Sequence, residues 1–516
     1  MKKIATSVDS FRHLREGGGV NLSRRGFIGG VASFLAMCRG RVFAAEPGVF
    51  TGGTPNLTFG VLSDVHICLA PGGRTLKKGY EIDTLVKAFT WFRDNGVDAV
   101  VIAGDMAHSG LVGELKGVAD AWFQVFPDDK APDGRKVERI FVFGNHDWSS
   151  PGRAKEVYAD ETERNANLLV NDPQKWWKEI FREDWSPFYR KTVNGYDFVG
   201  AHWTNGGCNG KKEVFTKGMR EFYAGQTFDP KKPFFHIQHP QPKGTAHGED
   251  VWGQDDGVST EILSAHPNAV AFSGHSHTSL TDVRSIWQGA FTSVGCGTLR
   301  DVGPIPPLPP GTTTFAGGCE NYKSPKGGTP ETFDARKAMA MIDKYNCRQG
   351  QLVRVYSDRM VFSRREFVTG VQLGPDLVMP LPVNGRKPFA FPERQAAAKP
   401  PAFPADAKVA VKKVAAKLRI RKSNAKTECW ELEFPAANAQ KGARPALYEI
   451  GARGPDGRPC TFGLACEGFR FPLSDKRARK NLVFRVDCSR VAAEPDFSVR
   501  AVSVWGKWSE PLKVQS

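Results

Sequence analysis

Five short polar motifs follow apolar segments of the chain, and they constrain its fold more than any other feature. Each motif comes directly after a short run of residues that is typical of a buried β-strand. The segments span residues 57–62, 99–103, 140–143, 234–237 and 269–273, and the motifs are Asp64-Val65-His66, Gly104-Asp105, Gly144-Asn145-His146-Asp147, Gln238-His239-Pro240 and Gly274-His275-Ser276-His277. Ligands of layered α/β sheets bind at the carboxyl ends of the strands, so these side chains are expected to converge.

The converging side chains are imidazoles, carboxylates and one amide. These groups suit a pair of divalent ions and differ from the thiolates of a structural zinc site. A lone Asp-x-His or Gly-Asp is expected by chance in a chain of 516 residues. Five motifs in one order, each after a strand-like run, are not. The sequence therefore predicts a centre for two divalent ions.

The five motifs resemble the D-x-H, GD, GNHD, H and GHxH pattern of the calcineurin-like metallophosphoesterases. The resemblance covers roughly residues 56–367. It implies an α/β fold in which a two-sheet β-sandwich is flanked by helices, giving four layers in the order α/β/β/α. It also implies a hydrolase that cleaves a phosphate mono- or diester with a water activated by two divalent ions, with Mn, Fe and Zn left open.

The resemblance assigns a role to each matched residue. Asp64, His66 and His277 would hold one ion, while Asn145, His275 and a histidine near position 239 would hold the other. Asp105 would bridge the two ions. His146 would stabilise the phosphoryl group or protonate the leaving oxygen, because an imidazole titrates near neutrality and can act as a general acid.

The fourth motif departs from the pattern of many relatives, in which a histidine stands two residues before proline. Here Gln238 occupies that place. Residues of an extended strand alternate between its faces, so His236 and Gln238 point one way and His239 the other. We favour His239 as the ligand because it lies at the strand end, with Gln238 and His236 as alternatives. If none of them binds, the chain is a binding protein on a catalytically impaired scaffold.

A second departure is His108, three residues after Asp105. In purple acid phosphatases a tyrosine stands at this position, so its absence argues against that branch of the family. We interpret His108 as a loop histidine, with contact to substrate as the alternative, and His202 after the strand-like residues 196–201 is open in the same way. Cys68 is interpreted as a packing residue.

The N-terminus resembles a twin-arginine export signal over residues 1–45. Ser23-Arg24-Arg25-Gly26-Phe27-Ile28 opens an apolar stretch that runs to Met37, and small residues follow at Ala44 and Ala45. The apolar stretch is too short to span a membrane comfortably. We therefore expect export to the periplasm or the medium, with cleavage after Ala44 or Ala45.

The rest of the chain divides by composition. A phosphoesterase domain is predicted over residues 46–385 and a Pro/Ala-rich linker over 386–406. Residues 407–516 contain short strand-like segments, at 418–420, 429–434, 446–451, 481–486 and 497–502. Phe497–Val502 and Trp505–Pro511 resemble the closing strands of a fibronectin type III domain, with Trp430 as its core tryptophan.

The positive charge is unevenly distributed. Removing residues 1–44 removes eight basic and two acidic side chains, which leaves a net charge of +10. Residues 401–516 carry 22 basic and 12 acidic side chains, so the excess lies in the C-terminal region. Specific nucleic-acid binding is not expected. The basic region instead suits an anionic polymer or surface, or is simply a well-solvated face.

Three further expectations concern local structure. Helices are predicted over residues 82–95 and 113–126. The strands 352–356 and 360–364 are expected to form a hairpin that closes the second sheet, and the Pro-rich loop 303–318 to shape the substrate pocket. Disulfide bonds are guessed at Cys319–Cys347 and within residues 429–488, as an exported protein permits them.

Overall fold

The computed structural model describes the chain from residue 53 to residue 514 with several gaps. The described ranges are 53–77, 82–148, 151–204, 212–249, 251–303, 308–309, 347–416, 426–439, 444–472, 475, 478 and 481–514. The predicted export signal, Cys319, the strand-like residues 418–420 and nearly all of the loop 303–318 lie outside the described residues.

Helices and strands alternate through the first part of the chain, and strands dominate the last part. The helices are α1 (Asp83–Asp94), α2 (Val112–Val125), α3 (Asn145–Trp148), α4 (Pro151–Ala154), α5 (Glu161–Ala166), α6 (Pro173–Phe181), α7 (Lys212–Ala224), α8 (Val258–Ser264) and α9 (Phe391–Ala397). The strands are β1 (Leu57–Leu62), β2 (Ala99–Ala103), β3 (Glu138–Val142), β4 (Phe188–Val193), β5 (Tyr196–Ala201), β6 (Phe234–Gln238), β7 (Ala269–Ser273), β8 (Ile286–Gln288), β9 (Thr292–Gly295), β10 (Gln349–Val355), β11 (Arg359–Glu366), β12 (Val371–Gln372), β13 (Leu377–Pro380), β14 (Ala410–Ala416), β15 (Thr427–Pro435), β16 (Pro445–Arg453), β17 (Pro459–Ala465), β18 (Asn481–Asp487), β19 (Ser498–Ser503) and β20 (Leu512–Lys513).

The first sheet has seven strands in the order β12-β11-β10-β1-β2-β3, with β13 paired to β11. Its centre is parallel: Val61 lies opposite Val101 of β2, which in turn lies opposite Ile140 of β3. Strand β10 runs antiparallel to β1. The ends of β1, β2 and β3 therefore meet at one edge of the sheet.

The second sheet has six strands in the order β4-β5-β6-β7-β9-β8. Its four central strands, β5, β6, β7 and β9, run parallel to one another. The carboxyl ends of β6 and β7 therefore also lie side by side.

The two sheets pack face to face over an apolar core. Phe59 of β1 lies between them, with its ring centroid 4.9 Å from that of Phe235 and 5.6 Å from that of Phe272. On the outer face of the first sheet, Leu62 joins the core beneath α1 and α2. On the outer face of the second sheet, Met219 of α7 packs into a further core. The predicted four-layer α/β/β/α fold class is confirmed.

The predicted helices are α1 and α2, each within a residue of the expected bounds at either end. Leu85, Phe89 and Phe92 form the buried face of α1. The helix stops before Gly96, which adopts φ +69°, a backbone conformation that side chains with a Cβ disfavour.

The hairpin prediction was right in its strands and wrong in its sheet. Strands β10 and β11 pair with each other, but β10 pairs with β1 and so extends the first sheet. Sequence periodicity shows that a strand exists without showing its neighbour, because pairing partners here are almost 300 residues apart, as in Leu57 with Val355.

The C-terminal residues form two further antiparallel sheets, β14-β15-β18 and β17-β16-β19-β20. Tyr448, Phe484 and Val499 lie in the core between them. Two strands were not predicted, β14 (Ala410–Ala416) and β17 (Pro459–Ala465). The region predicted as a linker contains α9, where the ring of Phe391 contacts that of Trp505 at 5.2 Å.

Two general features bear on the earlier expectations. Within the described ranges, the structure has no helix with the length and apolarity needed to cross a membrane. No disulfide joins any two of Cys429, Cys460, Cys466 and Cys488, so the guess of a pair in that region was wrong. Each of these four thiols lies on a different turn or strand of the sandwich, which a linear sequence does not reveal.

Candidate metal centre

The loops after five parallel strands converge at the edge shared by the two sheets. They bring three sets of potential ligand atoms together, the atoms of each set lying within 4.8 Å of one another. Two of these sets contain a carboxylate, and the third consists of His66, His108 and His146. The first set is Asp64, His66 and His277, and the second is Asp105, His239 and His275. Asp64 and His66 follow β1, and Asp105 follows β2. His239 follows β6, and His275 and His277 follow β7.

The first set is compact and buried. Nε2 of His277 lies 3.0 Å from Oδ1 of Asp64 and 3.4 Å from Nε2 of His66. Oδ1 of Asp64 is fully buried, and none of its contacts, including the one to His277, has the geometry of a hydrogen bond. Buried polar atoms are normally paired, so an orphaned carboxylate oxygen facing two imidazole nitrogens is what a cation site requires. These residues fit a divalent ion.

Asp105 belongs to the second set and also faces His66 of the first set. Its Oδ2 atom is 3.1 Å from Nε2 of His239 and 3.6 Å from Nε2 of His66. The amide Oδ1 of Asn145 lies 3.1 Å from the same nitrogen of His239. One carboxylate thus faces a histidine from each set, which is the placement that a bridging ligand needs.

Protons and cations compete for this site, as the pKa values of its groups indicate. Burial disfavours the imidazolium form of His239, but Asp105 and Asp64 outweigh it and raise the pKa to about 9. Burial also disfavours the imidazolium form of His277, but Asp64 and Asp301 outweigh it and raise the pKa of His277 well above its ordinary value. Burial would raise the pKa of Asp105, yet His239 and His146 hold it below its ordinary value.

His275 behaves differently. Burial dominates its surroundings and, with the nearby charge of His239, lowers its pKa to about 3. His275 is therefore a neutral imidazole across the physiological pH range, and it offers a lone pair without losing a proton.

The backbone at the site is held in conformations that cost free energy. The described chain has eleven non-glycine residues with positive φ, and five of them are potential ligands: Asp64, His66, Asp105, His275 and His277. A left-handed conformation costs about 1–2 kcal/mol for such residues. Strain of this kind persists where the surrounding structure enforces it, and it concentrates at functional sites.

Glycines permit the close approach of neighbouring loops. A Cβ atom on Gly144 would overlap Oδ1 of Asp105, and one on Gly274 would overlap Oγ of Ser63. Gly144 before Asn145 and Gly274 before His275 are therefore required, because a larger residue would not fit at either position.

Several supporting residues were missed at the level of sequence. The carboxylate of Asp147 accepts hydrogen bonds from the backbone N–H groups of Gly144 (2.7 Å) and Ala107 (2.6 Å), so it ties the second loop to the third. Burial and the nearby Asp105 raise its pKa to about 8. Its place in Gly144-Asn145-His146-Asp147 was a signal, but the motif alone does not separate a ligand from an anchor.

Two histidine ligands are oriented through their Nδ1 atoms. His239 donates from Nδ1 to the carbonyl oxygen of Ala103 at 2.7 Å. His277 donates from Nδ1 to Asp301, 2.6 Å from Oδ1 and 2.9 Å from the carbonyl oxygen. In both residues Nε2 is left to face the centre, which is how supporting groups orient metal-binding histidines.

The fourth motif is divided between the centre and the core. Gln238 points away from the centre, where its Oε1 accepts hydrogen bonds from Ser259 (2.6 Å) and His236 (2.9 Å). Its Nε2 donates to the carbonyl oxygen of Pro240 at 2.8 Å. The structure therefore brings His239 to the other ligands and places Gln238 and His236 in a buried network behind them.

His146 and His108 lie on the side of His66. The ring centroid of His146 is 4.4 Å from that of His66, and its Nδ1 donates to the carbonyl oxygen of His108 at 2.8 Å. Burial lowers the pKa of His146 to about 4 despite Asp105. Desolvation here outweighs the attraction of that carboxylate, so the pKa lies below the neutral range that the sequence predicted.

Arg153 lies beside His146, with Nη1 2.6 Å from Nε2 of the imidazole. Sequence reasoning missed this residue, since nothing in the local pattern relates α4 to the metal motifs. His108 is half-buried, and its Nδ1 lies 3.4 Å from Nδ1 of His66. His202 is buried, and its Nδ1 accepts from the backbone N–H of Phe143 at 3.0 Å, which makes it part of the packing.

Residues 57–279 match the sequence model of the calcineurin-like phosphoesterase family. No curated protein sequence matches the chain.

Several solved structures align with the chain at low sequence identity. A dimetal phosphatase from Danio rerio aligns with a TM-score of 0.33 and 13% identity, over 63% of this chain and 99% of that one. A purple acid phosphatase from yellow lupin (Lupinus luteus) seeds aligns with a TM-score of 0.35 and 14% identity, over 63% of this chain and 54% of that one. An archaeal phosphodiesterase aligns with a TM-score of 0.21 and 13% identity, over 47% and 85%.

Proposed function

We propose that the protein hydrolyses phosphate mono- or diesters with two divalent cations, a proposal supported by the match of residues 57–279 to the calcineurin-like phosphoesterase family. The observation that carries the proposal is the position of Asp105. Its carboxylate faces His239 at 3.1 Å and His66 at 3.6 Å, one histidine from each set of ligands. A shared carboxylate between two sets of donors is the arrangement of a two-ion centre.

Asp64, His66 and His277 would hold one cation and Asn145, His239 and His275 the other, with Asp105 common to both. Two bound cations would lower the pKa of a water molecule and neutralise charge on the phosphoryl group. In the reaction, water attacks phosphorus, the bond to the ester oxygen breaks, and the departing oxygen takes up a proton. Mn, Fe and Zn all suit this mixed imidazole and oxygen donor set.

His146 would act on the phosphoryl or leaving oxygen through Nε2. Its Nδ1–H is held by the carbonyl oxygen of His108, so a substrate would meet Nε2, in place of the contact that Nε2 makes with Nη1 of Arg153. In the isolated site the imidazole is neutral, because its pKa lies at about 4. An arriving phosphate anion favours the imidazolium, and the adjacent Arg153 supplies a second positive charge for the same anion.

The test compares p-nitrophenyl phosphate with bis-p-nitrophenyl phosphate, using metal-free protein and protein supplied with Mn²⁺ or Zn²⁺. We expect turnover only with added metal, and a loss of at least about a hundredfold in Asp105→Asn, which corresponds to roughly 2.7 kcal/mol. The control is Asp133→Asn, the same change at an exposed carboxylate that pairs with Arg135. The preferred ester separates a monoesterase from a diesterase.

Absence of turnover in folded, metal-loaded protein would contradict the proposal and favour a binding protein on this scaffold. The sequence feature behind that alternative was Gln238. Since Gln238 bonds with Ser259 and His236 behind the site while His239 faces Asp105, its presence gives no support to an impaired centre.

Export is a separate proposal, supported by Arg24 and Arg25 before an apolar stretch and by Ala44 and Ala45 at its end. Cell fractionation of the full chain beside the Arg24→Lys, Arg25→Lys double variant tests it. Mature protein outside the cytoplasm should disappear in the variant; an unchanged distribution contradicts twin-arginine export.

We also propose that the C-terminal region is a fibronectin type III-like domain that contacts an anionic polymer or surface. Its support is the pair of sheets with three and four strands, and the net charge of +10 over residues 401–516. Retention on an anionic resin that falls steeply with salt would agree. Retention equal to that of a neutral protein would contradict it.

A further inference from the structure

Trp252 lies exposed beside the metal centre. Its ring is 4.7 Å from the ring of His275 at an interplanar angle of 28°, so the two side chains stack. The indole is 59% exposed, and no other large aromatic side chain in the described ranges is as open to solvent. Exposing an indole forgoes favourable burial, so its position calls for a function or a packing reason.

The loop that carries Trp252 is fixed in place. The backbone N–H of Gln241 donates to the carbonyl oxygen of Gly253 at 3.0 Å, and the N–H of Asp255 donates to the carbonyl oxygen of Gln241 at 2.8 Å. The side-chain amide of Gln241 then donates to Oγ of Ser276 at 3.0 Å, which joins this loop to the His275 loop. Trp252 is therefore presented by a structured segment.

Gly253 explains how the loop comes so close. It adopts φ +94°, and a Cβ atom there would lie 3.0 Å from Cδ2 of His275. The conformation and the space both require glycine directly after the tryptophan. The loop is thus built to bring the indole against a metal ligand.

The surroundings of the two ligand sets differ in chemistry. His275 contacts Trp203 at 5.7 Å and Trp252 at 4.7 Å, so the side of the second set is aromatic. On the side of the first set, His66 contacts His146, and Arg153 lies against His146. A phosphoester has an anionic phosphoryl group and an organic group, and these two sides offer one matching surface for each.

We propose that Trp252 is a specificity-determining residue that stacks on a planar aromatic ring in the organic part of the substrate. This inference rests on the proposed phosphoesterase function and narrows its substrate class to aryl, arylmethyl or nucleobase-containing phosphoesters. The stacking energy of such ring pairs corresponds to about twofold to tenfold in binding. The indole would not take part in bond breaking, and its effect is on which ester binds productively.

The test uses two esters that differ only in the ring, benzyl phosphate and cyclohexylmethyl phosphate. Both release a primary alcohol, so the ratio of their kcat/KM values reports ring recognition with little effect of leaving-group chemistry. We expect the metal-loaded wild type to prefer benzyl phosphate by about threefold to tenfold. The ratio should fall towards one in Trp252→Leu and stay intermediate in Trp252→Phe. Trp176→Leu, on α6 away from the ligand loops, should keep the wild-type ratio.

A second pair of substrates identifies the kind of ring. A nucleoside 5′-monophosphate compared with ribose 5-phosphate shows whether a nucleobase is preferred over no base at all. If the ratio of the two kcat/KM values is above one in the wild type and falls in Trp252→Leu, Trp252 stacks on nucleobases. If the wild-type ratio is one, Trp252 stacks on smaller aryl groups.

Three outcomes would overturn the inference. One is an unchanged benzyl to cyclohexylmethyl ratio in Trp252→Leu. Another is an equal loss on both esters together with loss of bound metal, which would make Trp252 a shield for His275 and its cation. The third is a metal-loaded wild type that hydrolyses neither these two monoesters nor their methyl diesters, which contradicts the proposed function itself and is recognised because the wild type fails before any variant is compared.

Discussion

At the residue scale, His277 is held by a carboxylate at each of its ring nitrogens. Nε2 lies 3.0 Å from Asp64 and Nδ1 lies 2.6 Å from Asp301. The first contact belongs to the cation site and the second orients the ring. A carboxylate behind a histidine ligand also increases the basicity of that ligand, so Asp301 should affect metal affinity without touching the metal.

Replacing Asp301 by Ala should weaken binding of the more labile cation by about tenfold to a hundredfold. Asp301→Asn, which keeps an acceptor oxygen but removes the charge, should lose less. Calorimetric titration of metal-free protein with Mn²⁺ measures both, with Asp133→Asn as the control. Wild-type affinity in Asp301→Ala would show that the ring is oriented by other contacts.

Metal loading should depend on pH through His239 and His277. Both have raised pKa values, with that of His239 at about 9, and both must give up a proton to bind a cation through Nε2. Below pH 9 the proton on His239 competes with the metal, so affinity should rise with pH by up to about tenfold per unit for each proton released. It should level off above the pKa.

Calorimetry of Mn²⁺ binding in two buffers with different ionisation enthalpies counts the protons released. We expect release at neutral pH and less of it at pH 9 and above. A dissociation constant that does not change with pH, with no proton release, would contradict the raised pKa values. His275 should contribute little, since its pKa is lowered to about 3 and it binds as the neutral imidazole.

At the scale of elements, neighbouring residues at the end of β6 have unrelated tasks. His239 turns into the centre and Gln238 into a buried network with His236 and Ser259. His236 in turn receives a hydrogen bond from the hydroxyl of Tyr223 at 2.8 Å, since burial keeps its imidazole neutral with a pKa of about 4. Two adjacent residues therefore have different roles, because His239 faces the candidate metal centre while Gln238 contributes to the stability of the fold.

This division predicts opposite effects of two adjacent substitutions. Gln238→Ala should lower the free energy of unfolding by about 1–3 kcal/mol, because it removes the buried oxygen that accepts hydrogen bonds from Ser259 and from Nε2 of His236, and it should keep two bound cations. His239→Ala should lose one cation per chain. Denaturant unfolding and elemental analysis of both variants distinguish them. Loss of metal in Gln238→Ala at intact stability would place Gln238 in the centre after all.

Much of the sheet and of the centre was predictable because both depend on local patterns. The bounds of β1, β2 and β7 match the predicted residues 57–62, 99–103 and 269–273, since buried strands are short continuous apolar runs. His239 was preferred over Gln238 because it lies at the strand end, and the structure brings it to Asp105. These features need only the neighbouring residues.

What escaped prediction depends on contacts between distant parts of the chain. Asp301 lies 24 residues after the histidine that it orients, and Arg153 and Trp252 belong to connecting segments whose course the tertiary structure sets. The lowered pKa of His146 depends on burial, which the Gly-Asn-His-Asp motif does not encode. Loop position and desolvation are therefore the parts of the site that the sequence alone left open.

At the scale of the whole molecule, the C-terminal sandwich is packed against the loop that orients His277. The two-sheet region with the candidate metal centre and the sandwich belong to one compact unit. The contact runs through the 3₁₀ turn Glu467–Arg470, where the carbonyl oxygen of Arg470 accepts from Nε2 of Gln349 at 2.9 Å. The buried guanidinium of Arg470 donates to the carbonyl oxygen of Val302 at 3.4 Å, one residue after Asp301.

This contact argues that the sandwich cannot be removed without an effect on the rest of the protein. Val302 also shares an apolar cluster with Cys347, which precedes β10, and with Phe471 of the sandwich. Removing the sandwich would expose that cluster and leave Gln349 and Thr281 without the carbonyl acceptors of Arg470 and Phe469. The loop 298–303 would lose its support, and with it the hydrogen bond between Asp301 and His277.

Truncation after residue 385 should therefore lower the melting temperature and weaken metal binding, even though every predicted ligand remains. Arg470→Ala in the full chain isolates the contact, and we expect about 1–3 kcal/mol of lost stability with a weaker cation site. Arg458→Ala is the matched control, since Arg458 lies on an exposed turn of the same sandwich beside Asp456. Melting curves with and without Mn²⁺ measure both effects. A truncated chain that melts and binds metal like the full chain would make the sandwich an independent module, and unchanged metal binding in Arg470→Ala would remove it from the support of His277.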